Sequence, residues 1–164
     1  YTGAVSTVGV MIWWSGGIAS LLAAAVLWPE RRAAAQALLA GGLLTVGLAF
    51  DDLFLVHEEV LPDIFGVPEK VVYLAYAAAG AAFVAVYRRF LAIPPRGYLL
   101  ALAVGLFGLS VGFDLVAPGR HALEDGMKLL GIVTWTVLFA GASIEELRGG
   151  VTTPATGPPG QARP

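Results

Sequence analysis

ALLAGGLLTVGLAFDDLFLVHEEVLPD, Ala37 to Asp63, joins fourteen uncharged residues to a segment that carries five acids and a histidine. The first half has the composition of a membrane helix. The second half, Phe50 to Asp63, is where such a helix would leave the lipid. Whether this boundary is a chance interruption or one end of an ordered bundle decides how the rest of the chain is read.

Composition favours the bundle. Hydrophobic residues make up 57% of the chain and charged residues 13%, with a mean hydropathy of +0.76. Soluble domains carry about 25% charged residues, so this chain belongs in lipid. At 164 residues it is one domain with no room for a separate soluble module. The absence of cysteine excludes disulfides, thiolate metal sites and a thiol nucleophile. Starting on Tyr1 rather than Met, the sequence leaves room for a signal peptide or a further helix upstream.

Five apolar segments match the ~20 residues needed to cross a bilayer. They run from about Val8 to Trp28, from Ala34 through Phe50 and on as a helix toward Glu59 and Pro62, from Glu69 to Phe90, from Gly97 to Ala117, and from His121 to Leu147. The expected fold is therefore all-α: an integral membrane bundle of five helices over residues 1–148, with a flexible, cytoplasmic Pro/Gly-rich tail over 149–164. Alanine and glycine are frequent in the spans and predict close helix packing. LTVGLAFDD (Leu44–Asp52) and FGLSVGFDL (Phe107–Leu115) end their spans alike, which suggests two parallel-related hairpins following a first helix.

Sorting charges by the end they would occupy gives a strong asymmetry. Seven of the ten basic residues (Arg31, Arg32, Arg88, Arg89, Arg96, Arg148 and Arg163) fall at the end where the second span starts. Nine acids and both histidines fall at the opposite end, with Lys70, Arg120 and Lys128. The positive-inside rule puts the arginine end in the cytoplasm of a bacterial-type membrane, with the N-terminus outside and the C-terminus inside.

The acidic end supplies the candidate site. At 100° per residue Asp51 and Glu58 lie within about 20° of each other on a continuous helix, and His57 lies on another face. Asp51, Asp52 and Asp114 each sit between apolar neighbours, the setting in which an ionisable residue is a functional hypothesis by default. Asp51, Asp52, His57, Asp114, His121, Glu124 and Asp125 are the expected ligands of a divalent ion, Zn, Fe or Mn, with Glu69 and Lys128 completing an outward-facing pocket. Hydrolysis, transport and a structural role are equally compatible with such an ion. A proton- or cation-coupled transporter, and a non-catalytic accessory subunit or homo-oligomer in a larger complex, are the alternatives. Glu58, Glu59, Asp63, Glu145 and Glu146 read as a solvated rim, and Trp13–Trp14 as an interfacial belt. Nothing in the spacing indicates a Ser-His-Asp set, a phosphate loop or a nucleic-acid partner.

Overall fold

The computed structural model describes residues 2–116 and 121–151. They form α1 (Thr2–Leu27), α2 (Arg32–Phe54), a π-helical turn (Val56–Val60), α3 (Leu61–Phe65), α4 (Glu69–Leu91), α5 (Arg96–Val116) and α6 (His121–Val151). Five helices are long and apolar enough to cross a membrane. The expected all-helical bundle is thus the observed one. Its last helix continues past Leu147 to Val151, so the segment expected to be a tail begins as helix, and residues 152–164 lie outside the described part.

Three helices make the centre. α1 lies between α2 and α6 and packs along both, and α5 packs along α6. Glycine permits the closest approach: a Cβ at Gly42 would stand 3.2 Å from the Gly17 carbonyl oxygen, and one at Gly17 would stand 2.7 Å from Val46. Close backbone approach of this kind replaces the hydrophobic drive that lipid cannot provide. On the other side of α2 the Phe139 ring fills the space beside Gly41, where a Cβ would come to 2.0 Å. Trp13, Ile132, Trp135, Leu138 and Phe139 form the core around this contact. Trp13 is 5% exposed and packs on Phe107 at 5.7 Å between ring centroids, so it is a core residue and not part of an interfacial belt.

Most polar side chains inside this core find partners there, the Trp13 indole N–H being without one among the described residues. The Trp135 indole donates to Thr45 Oγ1 (2.8 Å), and Thr45 donates to the Gly41 carbonyl (2.7 Å). Ser20 and Ser143 each donate to a carbonyl one turn back in their own helices.

α4 stands apart. Only 11% of its membrane window is buried, against 44% for α1. It touches α2 and α5 over short stretches, and the two expected hairpins are unequal: α5 is packed on α6, while α2 packs chiefly on α1. An apolar groove of about 280 Å³ separates α2 from α4, lined by Ala40, Leu44, Ala79, Ala82, Phe83 and Tyr87. α4 meets the bundle elsewhere: Phe83 lies against the Phe139 ring of α6 at 5.8 Å, Leu91 joins the same core, and the start of α4 contacts the π-helical turn.

Filling the Phe139 space should unseat the core. Gly41→Ala is expected to destabilise the protein by about 1–3 kcal/mol through overpacking. Gly47→Ala, where a Cβ meets nothing within 4 Å, is expected to be neutral or stabilising by up to about 1 kcal/mol from helix propensity. Thermal unfolding in detergent compares the two; equal effects would refute the packing account.

Candidate functional site

The second span does not continue toward Glu59 as one helix. α2 ends at Phe54, and Leu55 takes up a left-handed conformation (φ 49°, ψ 40°). Leu55 is the one described non-glycine residue with positive φ. A β-carbon in that region costs roughly 1–2 kcal/mol, so the surroundings must compensate. The chain then winds as a π-helical turn from Val56 to Val60, runs into α3, and stops at Gly66 (φ 64°).

The break changes which residues meet. On an unbroken α-helix, six residues of winding would leave His57 about 120° around the axis from Asp51. Through the reversed residue and the wider turn, the His57 ring swings back over the end of α2. Its Nδ1–H donates to Asp51 Oδ2 at 2.5 Å, and both side chains are buried (9% and 8% exposed). The expectation that His57 lies on a separate face fails for this reason. Backbone strain at an isolated, exposed leucine beside a buried acid–imidazole contact is the pattern found at functional sites.

α4 closes the other side of the ring. Tyr73 and Tyr76 lie 5.4 and 6.4 Å from the His57 ring centroid. The Tyr76 hydroxyl is close enough to Asp51 to interact with its carboxylate. Across α2 the neighbouring Asp52 (6% exposed) accepts from Lys128 Nζ of α6. Asp51 and Asp52 therefore point to different partners on different helices. Asp51 faces the turn and α4; Asp52 faces α6.

Of the nine expected pocket residues, four form two neighbouring pairs, Asp51 with His57 and Asp52 with Lys128. Asp125 is half-buried, with no hydrogen bond or ion pair to another described residue. The side chains of Glu69, Asp114, His121 and Glu124 lie outside the described set. Among the described residues no group of three or more His, Asp or Glu is arranged to hold a metal ion. One oxygen of each buried acid, Asp51 Oδ1 and Asp52 Oδ2, has no hydrogen-bond partner among the described residues.

The opposite end holds a second buried charge cluster, which takes in Glu146, a residue expected in a solvated rim. Arg96 is 2% exposed; its guanidinium donates to Glu145 Oε2 (2.6 Å) and Glu146 Oε1 (2.8 Å) and lies over the Phe90 ring at 4.3 Å. Arg31 pairs with the other oxygen of Glu146 at 2.7 Å. Glu146 is therefore a buried structural acid (6% exposed), whereas Glu145 remains exposed as expected of a rim residue.

The chain belongs to the family described as a domain of unknown function, DUF8692, whose model matches residues 1–142. No curated protein and no solved structure matches it. The matched span takes in Asp51, Asp52, His57 and Lys128 and stops before Glu145 and Glu146.

Relief of the strain at Leu55 should be measurable. Leu55→Gly is expected to hold the same turn and to gain up to about 1 kcal/mol, because glycine accepts positive φ freely. Leu55→Val is expected to lose about 1 kcal/mol or more, because a β-branched residue at positive φ is an outlier. Chemical denaturation in detergent reports both; a destabilised glycine variant would contradict the role of the break.

Proposed function

We propose that this is a polytopic membrane protein whose working part is a proton-exchanging site at the acidic end, with Asp51 and His57 sharing the proton and α4 responding to it. The reading rests on one observation: a strained break in α2 brings a buried carboxylate and a buried imidazole to 2.5 Å, against the two tyrosines of a lightly held helix. Histidine is the side chain whose ordinary pKa puts its charge change in the physiological range. An imidazole fixed through Nδ1 by a carboxylate is oriented for proton transfer at Nε2.

The groups facing the pair set the electrostatics. Tyr73 and Tyr76 face it from α4, Asp52 lies next to it on α2, and Lys128 neutralises Asp52 from α6. Proton gain by Asp51 removes the charge that the His57 N–H and Tyr76 address, which weakens the hold on α4. The species is a proton-coupled transporter or sensor and not a pore. Below the site lies the Thr45–Trp135 pair, and an indole N–H is only a donor and cannot pass a proton on. In this reading the acidic end faces outward and the arginine end inward, on the seven-to-three division of basic residues.

A divalent ion at the same place is the second reading. What favours it is the pair of buried carboxylate oxygens on Asp51 and Asp52 that lack hydrogen-bond partners among the described residues. Zn, Fe or Mn bound there would use His57 and these acids, with His121, Asp114 and Glu124 as further ligands.

Infrared difference spectra of the reconstituted protein across a pH jump separate these readings. A protonated-carboxyl band that is lost in Asp51→Asn, altered in His57→Gln and kept in Asp52→Asn is the expected result. Identical spectra in all three variants would rule out the proton site. Stoichiometric metal in protein purified without chelator, lost in Asp51→Asn, would establish the metal reading instead.

A further inference from the structure

At the arginine end, a groove of about 470 Å³ opens between the start of α2 and the end of α4. Glu30, Arg31, Arg32, Arg89, Phe90 and Glu146 supply its side chains, and Ala33 and Ala34 its floor. Its charges are unequally engaged. Glu146 is already shared by Arg31 and Arg96, and Arg31 also donates to the Glu146 carbonyl at 2.6 Å. Arg32 and Arg89 reach the groove from two helices, both exposed and with no carboxylate partner among the described residues. The first turn of α2 lies beneath them without an acidic residue and without a capping side chain, since Arg31 at the N-cap makes no cap hydrogen bond. The N–H groups of Arg32, Ala33 and Ala34 thus have no acceptor within the helix.

We infer that this groove binds a phosphate-bearing anion, clamped by Arg32 of α2 and Arg89 of α4 over the uncapped first turn of α2, at the depth of the lipid headgroups. Three elements of the arrangement serve this chemistry. Guanidinium forks match phosphate oxygens in pairs. Free N–H groups and the positive end of a 23-residue helix favour an anion in the same place. Phe90 and the two alanines give the groove an apolar wall beside these donors. The consequence is mechanical: an anion held by both arginines would add a tie between the end of α4 and the start of α2.

The neighbouring Arg88 separates a built site from the general preference for arginine on one membrane face. It is equally exposed and one residue away, but it does not line the groove. Wild type, Arg32→Gln/Arg89→Gln and Arg88→Gln are titrated in detergent with short-chain phosphatidylglycerol, short-chain phosphatidylcholine and inorganic phosphate, following binding by native mass spectrometry and stability by thermal unfolding. The expected result is binding and a raised Tm with phosphatidylglycerol, weakened about ten-fold or more in the double variant and unchanged in Arg88→Gln. The same pattern with inorganic phosphate would sustain the site and assign it to a soluble phosphate compound in place of a lipid. Equal losses in the double and control variants, or wild-type binding of phosphatidylglycerol no tighter than of phosphatidylcholine with no response to phosphate, would overturn the inference. The wild-type comparison of the three ligands stands even if the double variant does not fold.

Discussion

The contact between Asp51 and His57 is the constraint around which the acidic end is arranged. To make it, α2 must stop at Phe54, leucine must enter the left-handed region, and the following turn must widen. Each step costs free energy that an ordinary helix would not spend. The return is a carboxylate and an imidazole joined within the protein at the edge of the lipid, where an isolated ionised group would be several kcal/mol less favourable by continuum reasoning, about 3 kcal/mol at mid-bilayer on insertion scales. The same contact presents the His57 ring to Tyr73 and Tyr76, and so gives α4 one of its few attachments to the bundle.

The two ends of the bundle solve the burial of charge differently. At the arginine end, Arg96 is fixed by two glutamates and stacked on Phe90, a multiply bonded arrangement with no spare proton to exchange. It fastens α5 to α6, while Arg31 fastens the α1–α2 connection to α6. At the acidic end the partners among the described residues are fewer: one lysine for Asp52, and one imidazole and the Tyr76 hydroxyl for Asp51. The first pattern suits a static joint. The second suits a group whose protonation changes. Between them, α1, α2 and α6 form the packed centre through small-residue contacts, while α4 is buried over much less of its length.

Much of this was legible in the sequence. Span length and apolarity set the five long helices, because a bilayer tolerates only helices and closed β-barrels, and uninterrupted apolar runs of ~20 residues fit the helix. The division of charge between the ends followed from the alternation of the spans, and Arg31, Arg96 and Glu146 do meet at one end. The site itself was half visible. Asp51 and Asp52, like Asp114, stood out because charges flanked by apolar residues are costly, and Lys128 was among the expected pocket residues, but uniform helical winding placed His57 on another face. No glycine, proline or asparagine marks the reversal at Leu55, so local signals could not reveal it. Glu146 was misjudged because its partners are 115 and 50 residues distant, and a helix end in sequence does not show which neighbours it will meet. Trp13 and Trp14 look alike in sequence, yet one step of 100° sends Trp13 into the core while Trp14 packs at its margin.

The central claim is that the Asp51–His57 contact holds α4 against the bundle and that loss of charge on Asp51 loosens it. A chain without cysteine admits spin labels at chosen positions. Met11 on α1 and Leu74 on α4 are both exposed, at 66% and 70%. The most direct measurement is the α1–α4 distance distribution by double electron–electron resonance between Met11→Cys and Leu74→Cys labels, with and without Asp51→Asn. One narrow population that shifts or broadens in the Asp51→Asn background is the predicted result, with Asp52→Asn leaving the α4 distance much less changed. A distribution unaltered by Asp51→Asn would contradict the account.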